Sequence, residues 1–494
     1  MNRTYGARIA SPVEQCAELA GLCWALGMAL YTSVYFLLYL FGLPLGLASA
    51  PALAIALVGT AMGARMARAA RRSGDALDVP EGTTNHESPL VIAGGVGLIL
   101  LQVGVTLWVA MASLLRYDDA WTVWATKARL FLYSGPPPGY WHHQPYQSHP
   151  NYPLNLPLAE ALCFRVPGPL GLSLAALVAP ACLVALLLLF YAGLTRLYGR
   201  TIAVAGTAVL VSMPSLPQFA GYGYADVPVA MYGGGAALYL LLWRRARRRV
   251  DLLLMGLLAG GAIWTKKEGL PIALVVWLGL AVTEAARRAP FRARLAPVLW
   301  ATGAMLALPL PWLIFSLIAR PVGSDFRPLT IAVFVANANR LPHIVARFAG
   351  ETLDVSRWSA FWITLTALLV AAARRLSPRG RLLLAMLATQ LAIYLVGYVF
   401  SDWRSYDDHI GSSLNRLMIQ AVPLAVLVAV EAANALPSGA LMRRAVAWRR
   451  RTAPNDRRDS PPSRPPRSPA PSRHMGLDRS LPSIYDDGGG TEGS

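Results

Sequence analysis

The sequence predicts an all-α polytopic membrane protein of about twelve transmembrane helices, and three observations carry that expectation. Only 14% of the 494 residues are charged and 55% are AVILMFWYC, whereas a soluble domain carries roughly 25% charged residues. Mean hydropathy is +0.44. The apolar residues fall in long runs, and a run of about 20 suffices for a helix to cross a bilayer. The net charge of +19 comes from 45 Lys and Arg against 26 Asp and Glu. In a soluble protein it would suit nucleic acid, but here the arginines cluster in short segments between apolar runs and mark topology instead. The four cysteines, Cys16, Cys23, Cys163 and Cys182, have no CxxC spacing and suit neither a disulfide framework nor a zinc site.

Taken in order, the expected spans are 16–42, 44–66, 89–114, 170–195, 201–217, 225–243, 252–264, 269–285, 296–318, 357–373, 382–400 and 416–435. The pair 252–264 and 269–285 reads as a tight hairpin. The first run is long and lacks an early small-residue cleavage site, so no cleavable signal peptide is read. Every even-numbered exit is basic, as with Arg65, Arg68, Arg71 and Arg72, with Arg244 to Arg249, and with Arg374, Arg375, Arg379 and Arg381. The positive-inside rule places these loops and both termini in the cytoplasm. Three regions follow: two N-terminal helices with a cytoplasmic loop over 1–88, a membrane core over 89–435, and a Pro/Arg/Ser-rich tail over 436–494. The tail has no apolar period and is expected to be disordered, either solvated or resting its basic stretch on anionic membrane lipid.

Polar chemistry collects in the outside loops. Asp118 and Asp119 follow directly on the third span, where a partly desolvated carboxylate can act as a general base or metal ligand, or be an ordinary interfacial acid. Trp121 and Trp124, with Lys127 three residues on, share one face of an expected short helix, as a headgroup anchor or a substrate contact. His142, His143 and His149 fall in the same loop and, with Asp118 or Asp119, offer donors for a divalent metal, although their spacing matches no closed motif. The rigid His149-Pro150-Asn151-Tyr152-Pro153 suits hydrogen bonding to sugar or phosphate.

Asp226 stands where the sixth span begins, as a functional near-membrane acid, a helix cap, or both. Only three basic residues are lysine, namely Lys127, Lys266 and Lys267, and the adjacent pair lies on the outer side in Thr265-Lys266-Lys267-Glu268-Gly269. A compact ammonium there can neutralise a phosphate, or Glu268 can close a salt-bridged turn. The last outside loop carries Arg404, and Arg416 opens the final span against the charge rule with Gln420 one turn below. A guanidinium facing a bundle interior suits a bidentate anion; the alternative is snorkelling to outer headgroups. The loop at 319–356, with Asn337, Asn339, Arg340, His343 and Arg347, shows no pattern.

From 89 to 435 this arrangement resembles the GT-C superfamily of multi-spanning glycosyltransferases, the class of protein mannosyltransferases and lipid A aminoarabinose transferases. The matching parts are Tyr117-Asp118-Asp119-Ala120-Trp121 after a span, the His-Pro-x-Tyr-Pro element at 149–153, and Tyr224-Ala225-Asp226-Val227-Pro228. Thr265-Lys266 in the hairpin and the terminal Asn415-Arg416-Leu417 complete the set. The resemblance implies transfer of a sugar from a polyprenyl-phosphate donor to a glycan, lipid or protein acceptor on the extracytoplasmic side of a bacterial inner membrane. It implies Asp118 or Asp119 as base, with Asp119 preferred, and Lys266, Lys267 and Arg416 on the lipid phosphate. Asp226 would orient acceptor or sugar. No cofactor is required by it, a divalent metal being allowed. The alternatives are a lipid-linked glycan polymerase or ligase, and a twelve-helix transporter or flippase, against which no half-to-half similarity is visible.

Overall fold

The computed structural model describes residues 7–8, 11–43, 50, 52–57, 59–61, 77–78 and 88–436, without 134, 137–138, 144–148 and 324. The basic segment 65–72, most of the expected span 44–66 and the tail beyond 436 therefore lie outside the described residues. Ala7–Arg8 and Leu77–Asp78 form a two-residue antiparallel pair. Otherwise the described residues are helices and their connections.

The first helices are α1 Pro12–Leu40, α2 Pro89–Ser113, α3 Thr126–Tyr133, α4 Asn155–Phe164, α5 Pro169–Ala176 and α6 Val178–Tyr198. There follow α7 Arg200–Val211, α8 Ser215–Tyr222, α9 Asp226–Ala246, α10 Arg249–Thr265, α11 Gly269–Ala285, α12 Phe291–Ala307 and α13 Leu310–Ala319. The last are α14 Ile331–Asn337, α15 Leu341–Leu353, α16 Val355–Trp358, α17 Phe361–Ala372, α18 Pro378–Val399 and α19 Tyr406–Ala435.

Among the described residues, five stretches are long and apolar enough to cross a membrane: α1, α2, Pro169–Tyr198, α18 and α19. The count reaches seven if each of two bent pairs is one span, and the chain is an all-α membrane protein on this ground. The bent pairs are two of the expected straight spans. Residues 201–217 divide into α7 and α8 at 63°, and 296–318 into α12 and α13 at 66°. Proline accounts for both breaks, because Pro214 and Pro309 withhold a backbone donor and their rings crowd the carbonyls of the preceding turn. The expected spans at 252–264 and 269–285 appear as α10 and α11, each of 17 residues.

Burial centres on α9, which is covered from Asp226 through Trp243 and packs on α6, α10, α11 and α19. The first helix belongs to the same packed unit. It starts in a reciprocal cap, Ser11 accepting from the Glu14 N–H while the Glu14 carboxylate accepts from the Ser11 N–H, and then packs along α4, α6, α10 and α13. Glu18 of α1 accepts from Arg196 at 2.9 Å and from the Tyr239 hydroxyl at 2.6 Å, and Asp251 takes the other arm of Arg196 at 3.2 Å. This buried network lies near the basic exits of α6 and α9. The opposite end, where α2 finishes, α9 begins and the chain turns from α10 into α11, carries the site.

Candidate active site

The end of α2 aims the first acids. Leu114 and Leu115 both have positive φ, 45° and 60°, an uncommon pair for non-glycine residues that turns the chain sharply out of the helix. The Ser113 hydroxyl donates to the Gly221 carbonyl at 3.2 Å. Gly223 holds a φ of +85°, and a Cβ there would sit 2.4 Å from Leu115 Cδ2, so only glycine fits beside the turned leucine. Asp119 follows, and its carboxylate pairs with the Arg416 guanidinium, which also lies 5.7 Å from the Tyr224 ring centre. Asp118 is exposed.

Arg416 does not open its helix as the sequence suggested. Ser405 caps α19 by accepting from the Asp408 N–H at 3.2 Å, and the acids Asp407 and Asp408 suit the first turn. By hydropathy this polar stretch reads as a loop, whereas it forms the first turns of α19. Arg416 thus sits about three turns into α19, with Gln420 one turn further.

Gln420 Nε2 donates to Asp226 Oδ1 at 2.7 Å, and Lys266 Nζ donates to the same oxygen at 2.8 Å. Asp226 is 1% exposed and Lys266 3%. The capping alternative for Asp226 does not hold: Ala225 is the N-cap of α9, without a side-chain cap bond. Lys266 reaches Asp226 because it leaves α10 in an extended conformation, φ −155° and ψ 156°. Gly269 permits the tight turn that follows, since a Cβ on it would lie 1.9 Å from the Ala262 carbonyl oxygen. Thr265 is fixed by Asn155, whose amide donates to its hydroxyl at 2.9 Å and accepts from Thr32 at 2.7 Å. Glu268 Oε1 stands 3.2 Å from Lys266 Nζ.

All three lysines of the chain face one ring. Lys127, Lys266 and Lys267 place Nζ 5.5, 6.0 and 5.8 Å from the centre of Tyr152. His149 stacks on that ring at 4.7 Å and Trp124 at 5.8 Å. Lys127 is fully buried and donates to the His149 carbonyl at 2.6 Å. Burial, with Lys267 nearby, holds its ammonium well below the ordinary lysine range. Burial also lowers His149 in spite of Asp325, and raises the Tyr152 phenol.

The residues after α13 cross this cage. Lys267 Nζ donates to the Gly323 carbonyl at 3.1 Å, and Asp325 lies 3.8 Å from His149 and accepts from Trp403 Nε1 at 3.1 Å. The Asp402 N–H donates to the Asp325 carbonyl at 2.9 Å. Sequence reasoning missed Asp325, because nothing in the 319–356 segment marks its neighbours. Buried polar atoms without a hydrogen-bond partner gather in the same place: Arg416 Nε, Glu268 Oε2, His149 Nδ1, Asn151 Oδ1 and Trp124 Nε1. Each such atom costs about 1–3 kcal/mol when left dry, and together they offer donors and acceptors to a polar ligand.

Other expected residues are arranged differently from the sequence reading. Trp121 and Trp124 do not share a face, because Ala120–Ala125 is a π-helical stretch whose wider turn rotates one away from the other. Trp124 is buried, and Trp121 is exposed under Arg129, 4.2 Å from its ring centre. Arg404, His142 and His143 are exposed. Among the described residues no three His, Cys, Asp or Glu side chains come together as a metal site. Comparison with family models, with curated proteins and with solved structures returns no match.

Proposed function

We propose that the chain is a GT-C-like glycosyltransferase of about twelve spans in a bacterial inner membrane, moving a sugar from a polyprenyl-phosphate donor to an acceptor on the extracytoplasmic side. One observation supports this reading above the others. Asp119, Asp226, Lys266 and Arg416 come from four distant stretches, and they meet at one end of the helix bundle through Arg416–Asp119, Lys266–Asp226 and Gln420–Asp226. That end is opposite the basic exits, which under the positive-inside rule supports the extracytoplasmic reading.

In this mechanism the donor phosphate approaches Arg416, whose Nε is buried without an acceptor, and the exposed Lys267. The guanidinium then shares its charge between phosphate and Asp119. Asp119 takes the proton from the acceptor hydroxyl as its oxygen attacks the anomeric carbon. The bond from that carbon to the phosphate oxygen breaks with its electron pair on the phosphate, and the anomeric centre inverts. The cations stabilise the charge that develops on the leaving phosphate. Asp226 holds Lys266 and so fixes the charge beside Tyr152.

The test is mass spectrometry of membrane glycolipids and glycans from cells with the gene, without it, and with Asp118→Asn or Asp119→Asn. The reading predicts a hexose- or pentose-sized mass difference that disappears with Asp119→Asn. Rate losses of about 100-fold or more are usual when a general base is removed. Identical profiles in all four strains would refute it.

A further inference from the structure

Beside the Asp119–Arg416 pair lies a wall of aromatic rings that the mechanism above does not use. Tyr117 and Tyr222 stack with centres 3.5 Å apart and planes at 27°. Phe219 touches Tyr222 at 5.8 Å and meets Tyr224 edge to face at 5.1 Å. Tyr224 is the ring beside Arg416, at 5.7 Å. The rings thus run without a break from the surface to the ion pair.

Two features distinguish this wall from an ordinary belt of interfacial tyrosines, whose hydroxyls reach toward headgroups. First, its outermost ring is held rigid: Tyr222 backs one face of Tyr117, and Gln218 Nε2 donates to the Tyr222 hydroxyl at 2.7 Å. Tyr117 itself remains 40% exposed, and Tyr222 covers one face of its ring. Second, exposed hydrogen-bonding groups accompany the stacked pair: the Gln218 amide on the Tyr222 hydroxyl, and the Asp118 carboxylate of the next residue in the chain. A flat ring face with polar side chains beside it suits a pyranose, which presents C–H bonds on its faces and hydroxyls at its edge. Preorganised rings also bind with little loss of side-chain freedom.

We infer that Tyr117, backed by Tyr222 and accompanied by the exposed Gln218 and Asp118, is a subsite for a sugar ring of the acceptor, which makes the acceptor a glycan or glycolipid. The inference rests on the transferase reading for the word acceptor, but not for the binding of sugar.

Saturation-transfer NMR on the full chain in lipid nanodiscs tests it, with a panel of methyl hexosides as probes and cyclohexanol as the apolar control. The expected result is saturation of the ring protons of at least one methyl hexoside, reduced at least fivefold by Tyr117→Ala and kept by Tyr117→Phe. Tyr117 is exposed, so neither change threatens folding. Gln218→Ala is expected to weaken the same signal. Absence of transfer to every hexoside, equal transfer to cyclohexanol, or a signal indifferent to Tyr117→Ala would each overturn the subsite and leave the wall as a membrane anchor. Hexoside binding that depends on Tyr117 in a chain without transferase activity would keep the subsite and end the transferase reading. Transferase activity whose dependence on acceptor concentration ignores Tyr117→Ala would do the reverse.

Discussion

Arg416 and Asp119 are 297 residues apart in the chain and form an ion pair at the end of the helix bundle, while Arg416 Nε is buried and meets no acceptor. A guanidinium with one arm on a carboxylate and one donor unspent can accept an incoming anion without leaving its partner. The pair therefore links the proposed base to the proposed phosphate site in one group.

Lys266 and Lys267 are adjacent but have different tasks. Lys266 is held by Asp226 and Glu268 at 2.8 and 3.2 Å, whereas Lys267 is exposed and donates to the Gly323 carbonyl. Lys267→Met is expected to lower kcat/KM for the donor by about tenfold, equivalent to about 1.4 kcal/mol, with part of the loss in kcat because the phosphate charge grows in the transition state. Titration of a polyprenyl-phosphate sugar in proteoliposomes checks this.

The Asp226–Lys266 pair tests stability rather than rate. Removing one member of a buried pair strands the other, at about 3–5 kcal/mol, while replacing both by apolar groups is often neutral. Asp226→Leu should lower the melting temperature of the purified protein markedly, and Asp226→Leu with Lys266→Met should recover much of it. Equal melting of the single and double variants would show that the pair carries no such coupling.

His149 gives the fold an acid-side dependence. Burial keeps its folded pKa below the unfolded value of about 6.5. Between those two values the unfolded chain binds a proton that the folded chain does not, so stability falls as pH drops below about 6.5. Melting curves from pH 7.5 to 5.5 should show that loss in the native protein and a shallower one in His149→Gln.

Much of the site was legible because charge is scarce in this chain. Asp119, Asp226, Lys266 and Arg416 stand out as ionisable groups at the ends of apolar runs, where burial demands a partner, and three lysines among so many arginines invite a local reason. The partners themselves were not legible. Asp119 turns toward Tyr224 through two left-handed leucines, a conformation that neither leucine favours by itself. Trp124 and Lys127 face Tyr152 because a π-helical stretch alters the spacing read from an α-helix. The proline breaks in 201–217 and 296–318 were written in the sequence, but hydropathy outweighed them. Asp325 is held near His149 with the help of Trp403 and Asp402, which lie more than 70 residues away.

The most direct measurement is the rate of sugar transfer from a polyprenyl-phosphate donor in proteoliposomes for Asp119→Asn, Arg416→Ala and the double variant. Groups that act as one unit are strongly non-additive. Losses of about 100-fold or more are therefore expected in each single variant, and little further loss in the double. Full transfer in Asp119→Asn, or losses that simply multiply, would contradict a base and a phosphate clamp working as a pair.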